Sequence, residues 1–182
     1  MIFLYLISIA AANVTTAACA PVTVLGLIIP AGSAIAGLTF VLRDMMQEKH
    51  GAYTTMRVIF FATGISGGLS VGLGDGAYVA VASLVAFTVS EFMDTFVYTM
   101  LRASFFRRAV MSGIIGGLID SGVFVILGLS PIGAGMLTWA QVPLAILGQS
   151  VVKAALQPFG AAVYLEIVKK RRKRRQSHDS QT

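Results

Sequence analysis

Charged residues are scarce in this sequence, and that shortage excludes an ordinary soluble domain. Only 12% of the 182 residues are charged and 56% are hydrophobic, whereas soluble domains carry about 25% charged residues. The mean hydropathy of +0.81 is typical of an integral membrane protein. The formal net charge of +6 does not indicate a nucleic-acid partner, because half of the 14 Lys and Arg residues form one block at residues 169–175.

Cysteine and histidine are rarer still, which removes several kinds of chemistry. Cys19 is the only cysteine, so the chain cannot form an internal disulfide. The tetrapeptide GISG, which contains Ser66, matches the short serine motif of rhomboid-type intramembrane proteases, and such a serine needs a base. Both histidines, His50 and His178, lie outside the apolar runs, so that pairing fails. Small residues at a helix contact explain the tetrapeptide better.

Cofactor and metal sites have no recognisable motif either. The sequence contains no Gly-rich nucleotide-binding loop. Glu91 and Asp94 form an ExxD pair, but the surrounding pattern of a metal-dependent lipid phosphotransferase, with further carboxylates on consecutive turns, is missing. We therefore expect no enzyme activity, no catalytic residue, no bound metal and no cofactor.

Apolar runs account for most of the chain. There are six, each near the ~20 residues that cross a hydrocarbon core of ~30 Å. They cover about residues 2–18, 27–42, 58–73, 77–101, 109–129 and 139–168. A cleaved signal peptide is disfavoured for the first, because it has no basic n-region. We predict an all-α polytopic membrane protein, with a bundle of six transmembrane helices over residues 1–168 and a basic cytoplasmic tail over residues 169–182.

Turn and breaker residues separate these runs. A charged connection from Arg43 to Lys49 ends at Gly51, which we expect to stop a helix. Gly74 to Gly76 predicts a tight turn. Pro30 falls near the first turn of the second run, where proline is tolerated. Pro158 is expected to kink the long last run, unless that run tilts or extends beyond the bilayer.

The basic residues predict the orientation in the membrane. Thirteen of the 14 Lys and Arg residues fall in the second-to-third connection, the fourth-to-fifth connection and the tail, and none in the other three connections. By the positive-inside rule both termini are cytoplasmic. The same tail is expected to contact anionic lipid headgroups of the bilayer. The predicted location is therefore a membrane, which the chain crosses several times.

Polar side chains inside the apolar runs share one depth. At a rise of ~1.5 Å per residue they lie between ~12 and ~20 Å from the cytoplasmic boundary, and the midplane lies at ~15 Å. A carboxylate at that depth costs roughly 2.5–3.5 kcal/mol on insertion scales, so such groups face a protein interior or a cavity. The residues at this depth, Asn13, Glu91, Asp94, Asp120 and Lys153, are candidates for a central binding site, and Gln149 of the last run is a further candidate.

The charges of this predicted site do not balance. Three carboxylates face one base, Lys153, since Arg43 is placed in a connection and too far away. A ligand rich in N–H groups, or shared protons, would supply the missing donors. The alternative is a buried ion-pair network that only fixes the helix register. Tyr98, Phe87 and Phe124 are candidates to stack on a ligand ring, although each could equally serve ordinary bundle packing.

Several motifs follow one another along the chain between about residues 13 and 158. They are Asn13, a DxxxE pair and a glycine (Asp44, Glu48, Gly51), Arg57, SEFMDTFVYTMLR from Ser90, IDSGVFVILGL from Ile119, Lys153 and Pro158. In this combination the sequence resembles the queuosine precursor transporters, also called the vitamin-uptake-transporter-like family. The resemblance implies a six-span importer in the inner cell membrane.

This resemblance implies import of a small molecule, 7-cyano-7-deazaguanine or 7-aminomethyl-7-deazaguanine, which are precursors of the queuosine base in tRNA. A guanine-like edge offers adjacent N–H donors, and a carboxylate such as Glu91 or Asp94 accepts them in pairs. Asn13, Gln149 or Lys153 would then bind the ring carbonyl. A relative that carries another purine-like or vitamin-like compound would look much the same.

Other interpretations stay open at the level of sequence. The chain could be the substrate-binding membrane subunit of a multi-component uptake system, or a structural protein. Transport by alternating access around the central site is compatible both with proton coupling and with facilitated diffusion. Small residues at Gly64 to Gly72 and at Gly113 to Gly117 make a homo-oligomer a further expectation.

Overall fold

The structure is a computed structural model that describes residues 1–73 and 77–179. It is 81% helical, which confirms the predicted all-α class. The tight turn predicted at residues 74–76 lies outside the described residues. Within the described residues, three helical stretches are long and apolar enough to cross a membrane, namely Tyr78–Met100, Phe105–Leu129 and Val142–Lys170.

Five helices form the body of the protein. Their bounds are α1 Ile2–Ala18, α2 Ser33–Gly72, α3 Ala77–Met100, α4 Phe105–Phe124 and α5 Val142–Asp179. A short π-helical segment, Val125–Leu129, extends α4, and α5 contains Pro158. The first, fourth and fifth apolar runs therefore predict α1, α3 and the α4 segment to within a few residues.

Helix α2 is broken at Gly51, where φ is 80° and ψ is 165°, and the predicted helix stop is confirmed. Asn13 of α1 donates a hydrogen bond to Ser66 at 3.1 Å. Thr16, which is also in α1, lies against Gly32, the residue just before α2. In a straight helix residues 32 and 66 would be about 50 Å apart. The chain therefore turns back at Gly51, where glycine allows a backbone conformation that strains other residues.

We call residues 33–50 the first arm of α2 and residues 52–72 the second arm. Together with α1, α3, α4 and α5 they give six helical segments. The first arm begins at Ser33 and continues through Arg43 and Asp44 to the break, so the expected span at residues 27–42 was wrong at both ends. The expectation that Arg43 and Asp44 lie in a connection was wrong as well, because both side chains are fully buried.

A β-hairpin precedes the first arm. Its strands, β1 (Val22–Val24) and β2 (Leu27–Ile29), pair antiparallel. The two connecting residues, Leu25 and Gly26, both have positive φ, at 50° and 80°, as a two-residue hairpin turn that matches strand twist requires. Pro30 follows the hairpin instead of lying in the first turn of a helix, which corrects the prediction for this stretch.

Two glycine contacts position the helices and the hairpin that surround the site. A methyl group on Gly148 of α5 would lie 2.7 Å from the carbonyl oxygen of Ile28, so strand β2 packs directly on this helix. On α4, Gly116 lies against Asp94 of α3. The absence of side chains at both positions lets polar or backbone groups approach closely.

The predicted small-residue face at Gly113 and Gly117 packs inside the chain. Gly113 lies against Gln157 and Gly117 against Lys153, both on α5. Since this face is occupied, it is not the surface for self-association. In contrast, Gly64, Gly68 and Gly72 on the second arm have open space beside them, and a homo-oligomer through that face stays a prediction.

Candidate functional site

A cavity of about 100 Å³ lies between all six helical segments. That volume is several times what one water molecule needs, so the cavity suits a small ligand. Its position is towards the end of the bundle that carries the hairpin, because Thr16, Pro30 and Ser33 line it. The other lining residues that bear polar or aromatic groups are Asn13, Thr39, Ser66, Ser83, Phe87, Asp120, Phe124, Gln149 and Lys153.

Lys153 of α5 carries the positive charge of the cavity. Its Nζ donates to Asp120 Oδ2 at 2.5 Å, to Ser121 Oγ at 3.0 Å and to Gln149 Oε1 at 3.4 Å. Lys153 is 1% exposed, whereas 18% of the Asp120 side chain is exposed. The predicted pairing of Lys153 with an acid at the bundle centre is confirmed for Asp120, whose carboxylate keeps accepting capacity on the cavity side.

Asn13 and Gln149 place amide groups in the same cavity. Asn13 donates through Nδ2 to the carbonyl oxygen of Ile9 at 3.0 Å and to Ser66 Oγ at 3.1 Å. Gln149 is 3% exposed, and within the described part of the chain its Nε2 has no hydrogen-bond partner. The structure therefore brings Asn13, Asp120, Gln149 and Lys153 together around the cavity.

The aromatic candidates separate into two groups. Phe87 and Phe124 line the cavity, one from α3 and one from α4. Tyr98 does not: its hydroxyl donates to Glu48 at 2.8 Å and its ring packs edge-on against Phe105, with centroids 6.4 Å apart. The suggestion that Tyr98 stacks on the ligand is therefore wrong for this conformation, because it lies near the other end of α3.

Glu91 and Asp94 belong to a second polar group, which we call the Arg43 cluster: Arg43, Asp44, Glu91 and Asp94. The guanidinium forms ion pairs with Asp44 at 2.6 Å, with Glu91 at 3.7 Å and with Asp94, and all four side chains are 0% exposed. Arg43 Nη1 also donates to the backbone oxygen of Glu91 and to Thr95 Oγ1, each at 3.3 Å.

The Arg43 cluster corrects the charge balance expected from the sequence. The central acids face two cations, Arg43 and Lys153, and Asp44 is a fourth acid among them, fully buried like Glu91 and Asp94. Glu91 and Asp94 do not line the cavity, because Arg43 occupies the space beside them. The cluster itself still holds three carboxylates for one guanidinium, with the buried hydroxyl of Tyr5 beside Glu91 and that of Ser112 beside Asp94.

Ser90 connects the two polar groups. Its hydroxyl lies 3.4 Å from Asp120 Oδ1 in the cavity, and the next residue along α3 is Glu91 of the Arg43 cluster. A ligand that moves the Asp120 carboxylate therefore changes the hydrogen bond of Ser90, which is adjacent in the chain to the buried, ion-paired Glu91. Among the described residues, no group of three or more histidine, cysteine or acidic side chains could hold a metal ion.

Three residues contact one another at the end of the bundle opposite the cavity, namely Glu48, Tyr98 and Arg108. We call this group the Glu48 latch. Arg108 pairs with Glu48 at 2.5 Å and its guanidinium stacks 4.5 Å from the centre of the Tyr98 ring. Tyr98 donates to the same carboxylate oxygen. These contacts join the first arm, α3 and α4 near Gly51, and they leave the cavity and the latch at opposite ends of α3.

Comparison with known families identifies the group to which these features belong. The model of the family described as "putative vitamin uptake transporter" matches residues 69–165, just over half of the chain. The chain belongs to this family. No curated protein and no solved structure matches it.

Family membership and geometry agree on the general class. The vitamin uptake transporter family is a family of transporters and not of enzymes, so the chain is a transporter. The match includes α3, α4 and most of the membrane part of α5, with Asp120, Gln149 and Lys153 of the cavity. Asn13 and Arg43 precede the matched residues, and Arg43 was missed as a site residue because its partners Glu91 and Asp94 lie on another helix.

Proposed function

We propose that the protein imports a queuosine precursor, 7-cyano-7-deazaguanine or 7-aminomethyl-7-deazaguanine, through the cell membrane. The observation that supports this most is the cavity, because each of the six helical segments contributes to it and it holds donors, acceptors and two aromatic rings. A 7-deazaguanine is planar and has adjacent N–H groups on one edge. Such a ligand matches a carboxylate flanked by aromatic side chains.

In this proposal Asp120 accepts N–H groups of the ligand, and Phe87 and Phe124 contact the faces of its ring. Hydrogen bonds accepted by a carboxylate are charge-assisted and are therefore the stronger kind. Lys153 holds Asp120 in place. Glu91 and Asp94 do not contact the ligand but belong to the Arg43 cluster. That cluster is linked to Asp120 by Ser90, the residue before Glu91.

The proposed topology has six spans with both termini in the cytoplasm. The two arms of α2 each provide one span, and the charged residues of the first arm are tolerated there because they are paired and buried. Removing Arg43 from the count of connecting residues leaves the positive-inside asymmetry in the same direction. The cavity then lies towards the outer side and the Glu48 latch towards the cytoplasm.

Transport would proceed by alternating access around the cavity. Release into the cytoplasm requires the Glu48 latch to open, since it joins the first arm, α3 and α4 at that end. Energy coupling has two versions, a proton that moves with the ligand or facilitated diffusion followed by metabolic trapping. Uptake by reconstituted protein that is indifferent to an imposed proton gradient would rule out the coupled version.

Ligand binding to the purified protein tests the substrate. We expect 7-cyano-7-deazaguanine and 7-aminomethyl-7-deazaguanine to raise the melting temperature in detergent, because a ligand at 100 times its Kd adds ~2.7 kcal/mol to the free energy of unfolding. Riboflavin-like compounds serve as controls. If neither 7-deazaguanine stabilises the protein while a control does, the substrate assignment fails.

A further inference from the structure

The hydrogen bonds already made inside the cavity determine which atoms are left for a ligand. We infer that Asn13 Oδ1 and Gln149 Nε2 select the ligand by its lactam edge, a ring N–H next to a ring carbonyl. The N–H would donate to Asn13 and the carbonyl would accept from Gln149. This inference rests on the proposed function and adds to it the atoms that set specificity.

Lys153 has no hydrogen to spare for the ligand. An ammonium group has three donors and no acceptor, and Nζ directs them to Asp120, Ser121 and Gln149. A ligand carbonyl could bind Lys153 only by replacing one of these partners. Lys153 is therefore a positioning residue, which holds Asp120 and Gln149 in orientation.

The orientation of the Asn13 amide follows from its surroundings. Both N–H groups of Nδ2 are used, on the carbonyl oxygen of Ile9 and on Ser66 Oγ. Turning the amide over would bring its oxygen against the Ile9 carbonyl, where two acceptors would oppose each other. The oxygen Oδ1 therefore faces away from Ile9, and in the described part of the chain it receives no hydrogen bond. Asn13 presents an acceptor to the cavity.

The Gln149 amide is fixed in the opposite sense. Its Oε1 accepts from the Lys153 ammonium at 3.4 Å, and the reverse orientation would set an NH₂ group against that ammonium. The Nε2 donor is buried without a partner among the described residues. A buried donor left unpaired costs free energy, so a ligand acceptor at this position is favoured. Gln149 presents a donor.

The cavity lining therefore offers one acceptor, from α1, and one donor, from α5, which together distinguish ligands that differ in a single edge. Guanine carries N1–H and a carbonyl at C6, which match Asn13 and Gln149. In 2,6-diaminopurine the same positions carry an unprotonated nitrogen and an amino group. The nitrogen, an acceptor, would face the acceptor of Asn13, and the amino group, a donor, would face the donor of Gln149. Both compounds keep the 2-amino group, which would donate a hydrogen bond to Asp120. The pair therefore isolates the lactam edge from the rest of the recognition.

The experiment is calorimetric titration of guanine and of 2,6-diaminopurine into the purified full-length protein. We expect guanine to bind roughly 10- to 100-fold more tightly, because two groups in the cavity lose their partners with the diamino compound. Gln149→Met should reduce this ratio at least several-fold, and Gln149→Glu should favour the diamino compound, since it replaces a donor by an acceptor. Gln157→Met is the matched control, because Gln157 is a buried glutamine on the same helix that does not line the cavity.

Two results would overturn the inference while leaving the proposed function intact. The first is equal affinity of the wild-type protein for the two purines when a 7-deazaguanine binds. The second is an unchanged affinity ratio in both Gln149 variants. If one variant does not fold, the wild-type ratio and the other variant still decide. Binding of neither purine and neither 7-deazaguanine would instead contradict the proposed function itself, and the inference with it.

Discussion

Arg43 on the first arm of α2 and Asp94 on α3 form an ion pair in which both side chains are 0% exposed. Two further carboxylates, Asp44 and Glu91, lie against the same guanidinium. Buried carboxylates without a cation are strongly disfavoured. Arg43 is therefore what allows three acids to lie inside the bundle.

Arg43→Met should strongly destabilise the protein. The substitution leaves three buried carboxylates without their cation, and breaking a buried pair typically costs roughly 3–5 kcal/mol. Adding Asp44→Asn and Asp94→Asn to the same chain should restore part of the loss, because the uncompensated charge falls. Thermal unfolding in detergent and the yield of folded protein measure this. Arg107→Met, which changes an exposed arginine, is the control, and an equal loss in that variant would contradict the prediction.

Two aspartates should separate ligand binding from the buried ion pairs. Asp120→Asn is expected to weaken binding of 7-cyano-7-deazaguanine roughly tenfold or more, because a charge-assisted acceptor in the cavity is lost. Asp94→Asn should change the Kd much less, since Asp94 pairs with Arg43 outside the cavity lining. Titration of both variants measures the two Kd values. Comparable losses of affinity would show that the Arg43 cluster contacts the ligand directly.

Gly116→Ala should destabilise the packing of α4 on α3. Its added methyl would lie 2.8 Å from Asp94 Cβ, and overpacking of this kind costs roughly 1–3 kcal/mol. Gly122→Ala is the matched control, because nothing lies within 4 Å of its added methyl on the same helix. We expect the control to be neutral or slightly stabilising, since alanine favours helix over glycine. The melting temperature of Gly116→Ala should therefore fall while that of Gly122→Ala stays the same or rises. An equal change in both variants would contradict the prediction.

Cysteine labelling tests the proposed orientation. Cys19 is exposed at the end of α1 that meets the hairpin. A thiol reagent that cannot cross the inner membrane should therefore label it when added to intact cells whose outer membrane has been permeabilised. Arg107→Cys in a Cys19→Ala background should be labelled only after the membrane is opened. The opposite pattern would place the termini outside the cytoplasm.

Much of the helical framework could be predicted from local sequence. Apolar runs gave α1, α3 and α4, and Gly51 gave the break in α2, since these signals act within a few residues. The hairpin from Val22 to Ile29 was not predicted. Leu27 was expected to begin the second span, because a short apolar run fits either strand or helix. The β-branched residues around Leu25 and Gly26 are the signal that favours a hairpin.

The first arm was missed at its charged end because two adjacent charges usually mark the end of a span. Besides its neighbour Asp44, Arg43 finds its partners on α3, about 50 residues away along the chain, and no local pattern shows such partners. Once Arg43 was placed outside the bundle, Glu91 and Asp94 had no cation and were assigned to the ligand. Helix rise predicts a similar depth for these polar residues, but which of them line the cavity depends on how that buried guanidinium packs.

Uptake into liposomes that contain only this purified chain tests the central claim most directly. We predict saturable accumulation of labelled 7-cyano-7-deazaguanine by the wild-type protein and its loss in Asp120→Asn, because the cavity carboxylate would bind the ligand. Uptake by the chain alone would also exclude a requirement for a separate energising complex. Accumulation no greater than in protein-free liposomes, or equal accumulation by the wild type and the variant, would contradict the account.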